Sequence, residues 1–214
     1  MHKFIFILVF LPAIYHANCQ PIKKNEASLP DSLTTAVTGN YYTNFHSILI
    51  SKNGKLFYEN YFNGWSKDSL QDSRSAFKSI TSILTGIAID KGLIEDVNQK
   101  VYSFFPEFTD FSGNNAWKKE MTIENLLRME SGFDCEEFND GKDCETEMMN
   151  SKDWVSFSLG LPMKHKPGSV WAYTSCDPMI LSGIISRVAK MSLMEFVKKA
   201  FDLMAKYIIP AFQQ

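Results

Sequence analysis

The 214 residues contain no run of lysine or arginine, and 22 basic side chains stand against 24 acidic ones, leaving a net charge of −2. Without a basic stripe the chain has no electrostatic footprint for a phosphate backbone, which sets nucleic acid aside as a partner. No repeat, low-complexity tract or proline-rich linker breaks the sequence. Histidine is scarce, and none lies near Cys135 or Cys144. Two thiolates alone do not close a tetrahedral zinc site, so no metal centre is expected. Long apolar runs are missing too. The longest, Phe4 to Tyr15, contains Pro12 and falls short of the ~20 residues that span a bilayer, which argues against a stable membrane span.

What is present reads as a globular, exported protein. Hydrophobic residues make up 45% and charged residues 21%, enough apolar material for a sizeable core. Lys3 precedes the apolar run, and Ala17-Asn18-Cys19 gives a small-x-small pattern after it. Residues 1–19 thus read as a signal peptide, with the mature domain over 20–214 in the periplasm or outside the cell. Acylation at Cys19 as a lipoprotein is the other reading, and His16 and Asn18 fit a lipobox poorly. Export permits disulfides, and Cys135 and Cys144, flanking the polar loop EEFNDGKD, are the natural pair. Cys176 is then a free thiol, read as a small buried residue.

Strand signals come first and helix signals follow. Residues 45–51 and 55–62 are rich in β-branched and aromatic side chains, with Asn53-Gly54 between them. Asn-Gly at that place predicts a type I′ hairpin over 45–62. A lone hairpin is marginal in water, so it should join strands from elsewhere, yet nothing after residue 62 reads as a long strand. The spacing of Phe77, Ile80, Ile83, Leu84, Ile87 and Ala88 predicts a helix over 75–91, ended by Gly92. Beyond it, 98–121 reads as irregular, Thr122 as a helix cap, 152–159 as a short helix, Asp177-Pro178 as a helix start, and Ser192 to Glu195 as a capping box.

Chemistry concentrates at Ser75-Ala76-Phe77-Lys78, the sole Ser-x-x-Lys of the chain, at the head of its most apolar helix. A spacing of three puts both side chains on one helical face. A serine hydroxyl is a poor nucleophile until a base takes its proton, and a neighbouring lysine can do so. The plain alternative is an N-cap serine beside a solvated lysine. A second polar cluster, Tyr173-Thr174-Ser175, precedes a later helix.

Together these segments resemble the serine β-lactamase and penicillin-binding-protein superfamily, in particular its class C-like branch. SAFKSITSILTGIAIDKGLI is similar to that branch's nucleophile helix, MTIENLLRMESGFDC to its LL-x-M-x-SG-x-x-C segment, and LPMKHKPGSVWAYTS to its approach to the Tyr-x-Asn motif. The resemblance runs from about 45 to about 200. It implies an α+β fold, with an N-terminal hairpin of an antiparallel sheet and a helical region over 93–214. It implies Ser75 as the acylated nucleophile, Lys78 as its base or electrostatic partner, Tyr173 as a proton shuttle and Ser175 as a contact in the Asn position. The substrate would be an amide, β-lactam, D-amino peptide or ester, with no cofactor. The family's third motif, Lys/His-Ser/Thr-Gly, has no match; Lys52-Asn53-Gly54 and Lys166-Pro167-Gly168 fail at the middle position. In the family that motif lies on a strand beside the nucleophile, so the C-terminal sheet strands are expected to be missing and the chain to be unstable and close to inactive. The alternatives to an enzyme are a non-catalytic envelope protein binding peptidoglycan-like peptides, or a functionless remnant.

Overall fold

The computed structural model describes residues 29–39, 42, 44–138 and 143–207. The expected signal peptide and Cys19 lie outside them. The chain divides after Ser69 into two units.

The first unit is built on its turn. Helix α1 (Leu29–Thr38) is followed by strands β1 (Ser47–Lys52) and β2 (Lys55–Tyr61). Asn53 and Gly54 both take positive φ, 52° and 73°, as a type I′ turn demands. The twist of that turn matches the strands, and β1 and β2 pair antiparallel from Ser47↔Tyr61 to Lys52↔Lys55, with an irregularity at Ile50/Ser51. Helix α1 is tied to β2 where Thr34 Oγ1 meets the Tyr58 hydroxyl at 2.9 Å. Within the unit Val37, Tyr58 and Phe62 are buried, and His46 stacks on Trp65 with ring centroids 3.9 Å apart. This hairpin is the two-stranded sheet found among the described residues.

The second unit is helical. Helix α2 spans Ala76–Asp90, and Gly92, at φ 67°, closes it as the spacing predicts. Its buried face is Thr81, Leu84, Thr85 and Ala88, whereas Ile83 stays half exposed. The two buried threonines are satisfied along the helix: the Thr85 hydroxyl donates to Thr81 O and that of Thr81 to Phe77 O. Apolar periodicity alone missed them, because a threonine that bonds its own helix buries as easily as a valine of like shape. The stretch read as irregular contains two 3₁₀ segments, Val101–Phe104 and Gly113–Glu120. Helix α3 (Ile123–Leu127) starts at Thr122 in a reciprocal capping box with Asn125.

Helix α4 (Cys144–Asn150), capped by Asp143, had no sequence forecast. Helix α5 is Trp154–Gly160 rather than 152–159, because the Asp153 side chain accepts from Ser156 N and sets the start. Helix α6 (Cys176–Ala189) begins before Asp177, with Ser175 at the N-cap position. Helix α7 (Leu193–Tyr207) opens on the expected box, Ser192 N donating to Glu195 Oε2 and Glu195 N to Ser192 Oγ.

Helix α6 is the hub, packing against α2, α3, α4, α5 and α7 through Ile180, Leu181, Ile184 and Ile185. Gly183 permits the close approach to α5, since a Cβ there would lie 2.7 Å from Val155. Beside this core Lys118 is fully buried. Its ammonium donates to Leu159 O at 2.8 Å and lies over the Phe108 ring at 4.8 Å, while burial pulls its pKa down to about 8. Tyr102 donates to the same carbonyl, and burial holds its hydroxyl protonated. No helix among the described residues is long and apolar enough to cross a membrane.

Candidate active site

Two segments about a hundred residues apart in sequence meet at the start of α2. Ser75 occupies the N-cap position with helical backbone (φ −63°, ψ −11°), yet its side chain makes no capping hydrogen bond. The hydroxyl instead faces Tyr173, whose OH lies 2.8 Å from Ser75 Oγ, and Lys78, whose Nζ lies 3.3 Å away. A serine that only capped its helix would accept from an amide of the first turn. Arg74, just before it, holds φ 44°, a left-handed conformation that costs a non-glycine residue about 1–2 kcal/mol. Strain of that kind persists where surrounding contacts over-determine the backbone.

Lys78 joins the two segments. Its ammonium also donates to Ser175 Oγ at 3.0 Å and stands 5.0 Å above the Tyr173 ring. Ser175 is buried while Ser75 is exposed, so the array runs from the interior toward solvent. All four residues singled out in the sequence, Ser75, Lys78, Tyr173 and Ser175, are therefore brought together. Phe138 packs on the Tyr173 ring at 4.8 Å.

Sequence reasoning missed one member of this cluster. Glu137, inside the polar loop read only as a disulfide spacer, accepts from Ser175 N at 2.5 Å and from Ser175 Oγ at 3.1 Å. The Cys135–Cys144 bond is formed, with a sequence separation of 9. Thr174 meets the disulfide sulfur of Cys135 at 3.3 Å. Cys176 is free and buried, and burial pushes its thiol up to about 11, which keeps it protonated and unreactive. Next to it Asp177 is fully buried, and neither carboxylate oxygen meets hydrogen-bond geometry. Burial raises its pKa well above the usual carboxylate range; Ser131 opposes the shift and the Glu137 charge adds to it.

Ser75, Lys78 and Ser175 stand in the wall of an open cleft of about 810 Å³, whose apolar lining includes Met148, Trp154 and Met179. That is the size of a small-molecule site. Among the described residues no group of three or more His, Cys, Asp or Glu could hold a metal ion.

Solved structures of the same fold include an octameric penicillin-binding protein homologue from Pyrococcus abyssi, with a TM-score of 0.55, 20% identity, and coverage of 72% of this chain and 37% of that one. A Bacteroides dorei crystal structure superposes at TM-score 0.60 with 17% identity, over 81% of this chain and 49% of the other. Protein flp of Staphylococcus aureus is 29% identical over 164 residues, covering 72% of this chain and 32% of its own length. The chain thus spans about a third of the length of such curated relatives. Residues 46–201 match the Beta-lactamase family model, taking in the hairpin, the Ser75 helix and the Tyr173 segment, and on that match the chain belongs to the beta-lactamase family.

Proposed function

We propose that this chain carries the nucleophilic site of an exported serine hydrolase that cleaves an amide, β-lactam or ester through an acyl-enzyme. The observation that carries the reading is the convergence on Ser75 Oγ of Tyr173 and Lys78, from elements far apart in sequence, in place of the cap bond that a structural serine would make. Ser75 Oγ forms a bond to the substrate carbonyl carbon, and the carbonyl π pair moves to oxygen. The Ser75 proton passes to whichever of Lys78 Nζ and Tyr173 O is deprotonated, both being within reach. The Ser75 backbone N–H, at the helix start, is the expected donor to the oxyanion. Collapse expels the amine or alkoxide, which takes the proton back. Water then adds to the acyl carbon and frees Ser75. No step requires a metal. The formed disulfide accords with an oxidising compartment outside the cytoplasm, as the reading of residues 1–19 as a signal peptide would have it.

Labelling of the full chain with a fluorescent penicillin and with a fluorophosphonate tests this. Wild type should take the label slowly, for want of a Lys/His-Ser/Thr-Gly motif, and Ser75→Ala should not. Equal labelling of both would remove Ser75 from the reaction, and a wild type labelled by neither reagent would favour a binding role for the cleft.

A further inference from the structure

Ser175 sits between two charged groups of opposite sign, and that fixes which way its hydroxyl proton can point. On one side is the Lys78 ammonium nitrogen at 3.0 Å; on the other is Glu137 Oε2 at 3.1 Å. An ionised carboxylate only accepts, so the Ser175 proton is committed to Glu137. The Ser175 oxygen is then left to accept from Lys78.

The consequence matters once Lys78 is the neutral amine that a base must be. A serine hydroxyl free to rotate would donate to the amine lone pair and occupy it. With its proton held by Glu137, Ser175 takes an N–H of Lys78 instead, and the lone pair is left for Ser75 Oγ at 3.3 Å. We propose that Glu137 is a positioning residue for the Ser75 site: it locks the Ser175 hydroxyl so that Lys78 can act only toward Ser75. The inference rests on the reading of Ser75 and Lys78 as nucleophile and base.

The backbone is arranged to keep Glu137 in that place. Glu137 N donates to Tyr173 O at 3.0 Å, and its Oε1 receives Ser175 N. Thr174, between them, meets Glu137 Oε1 at 3.4 Å, and Cys176 N donates to Thr174 Oγ1 at 3.1 Å. Residues 173–175 lie in no helix or strand, so these bonds substitute for a sheet ladder. The disulfide anchors the chain two residues before Glu137.

Glu137→Gln is the informative variant, since it keeps size and loses the charge. A glutamine can turn its NH₂ toward Ser175 Oγ, which releases the serine proton toward Lys78. The maximal acylation rate by fluorescent penicillin should then fall about 10- to 100-fold, the range for loss of one charged hydrogen-bond partner. The half-saturating concentration and the melting temperature should stay near wild type. In a Ser175→Ala background the same change should cost nothing further, because the rotor it controls is gone. Full-rate acylation by Glu137→Gln, or losses that multiply in the double variant, would overturn the proposal while leaving Ser75 as nucleophile. If wild type shows no Ser75-dependent labelling, the parent reading fails, and the ¹⁵N resonance of Lys78 Nζ, identified by its loss in Lys78→Arg, still decides. It should move in Glu137→Gln and not move further in the double variant; an unmoved resonance counts against the clamp.

Discussion

Before Ser69 the hairpin turns Leu49 and Leu56 outward, each 55% exposed, and its geometry rests on one two-residue turn and a ladder of backbone bonds. After Ser69, α6 buries Ile180, Ile184 and Cys176 completely and touches five other helices. The first unit is specified locally; the second is specified by what it removes from water. The Ser75 cluster belongs to the second, for a physical reason. Holding Tyr173 O within hydrogen-bond reach of Ser75 Oγ across 98 positions needs a frame whose side chains cannot change rotamer freely, and dense packing supplies it. A turn can fix its own neighbours and nothing so distant.

The largest effect expected from that contrast is in the core. Ile184→Ala deletes fully buried methylene and methyl groups at the centre of the helical unit and should cost about 2–5 kcal/mol in urea unfolding. Leu49→Ala, the same kind of truncation on the exposed hairpin face, should stay within about 0.5 kcal/mol. Comparable losses at the two sites would mean that Leu49 is covered in solution, and the contrast between the units would fail.

A middle-sized effect should come from the covalent constraint of the second unit. The Cys135–Cys144 bond closes a short loop, for which the chain-entropy argument gives about 2–3 kcal/mol. Unfolding with and without a phosphine reductant reads it directly. The loop feeds Glu137 to Ser175, so reduction should also slow acylation at denaturant concentrations where the chain is still folded. A reduced protein that keeps both its midpoint and its labelling rate would show that packing alone holds the loop.

The same division explains what could be read in advance. Asn53-Gly54, the box at Ser192, Gly92 and the pairing of Cys135 with Cys144 are signals whose cause lies within a few residues, and each is found as read. The Ser75 and Tyr173 motifs were legible because their residue types and order follow the pattern of the family whose model matches this stretch. Glu137 was not: its partner is 38 positions away, and nothing near it distinguishes it from Glu136. The start of α6 was misread for a related reason. Asp177 before Pro178 looks like a cap in isolation, but the bonds of Glu137 and Thr174 to the backbone of 175 and 176 begin the helix earlier and carry Asp177 inside. Lys118 had no signal of burial at all, since a lysine is placed in a core by the aromatic rings and the carbonyl around it.

Asp177 offers the smallest and most selective test of the packed unit, because it is the place where close packing opposes polarity. Its carboxylate is buried with no partner in full hydrogen-bond geometry, the Ser131 hydroxyl and amide being the groups that favour its charge, and its pKa is raised by burial and by the Glu137 charge. The sign follows from proton counts. As pH rises past 3.8 the unfolded chain gives up this proton while the folded chain keeps it, so the folded state holds more protons and stability falls with rising pH until the folded carboxyl ionises. Asp177→Asn keeps the shape and removes that slope. At pH 4 the variant and wild type should unfold at similar denaturant concentrations. At pH 8 the variant should be the more stable by about 1 kcal/mol, the lower end of what an uncompensated buried polar group costs. A wild type whose stability rises from pH 4 to pH 8 relative to Asp177→Asn would mean that the carboxylate finds a partner in solution, with Ser131, whose hydroxyl and amide already act on it, the first place to look.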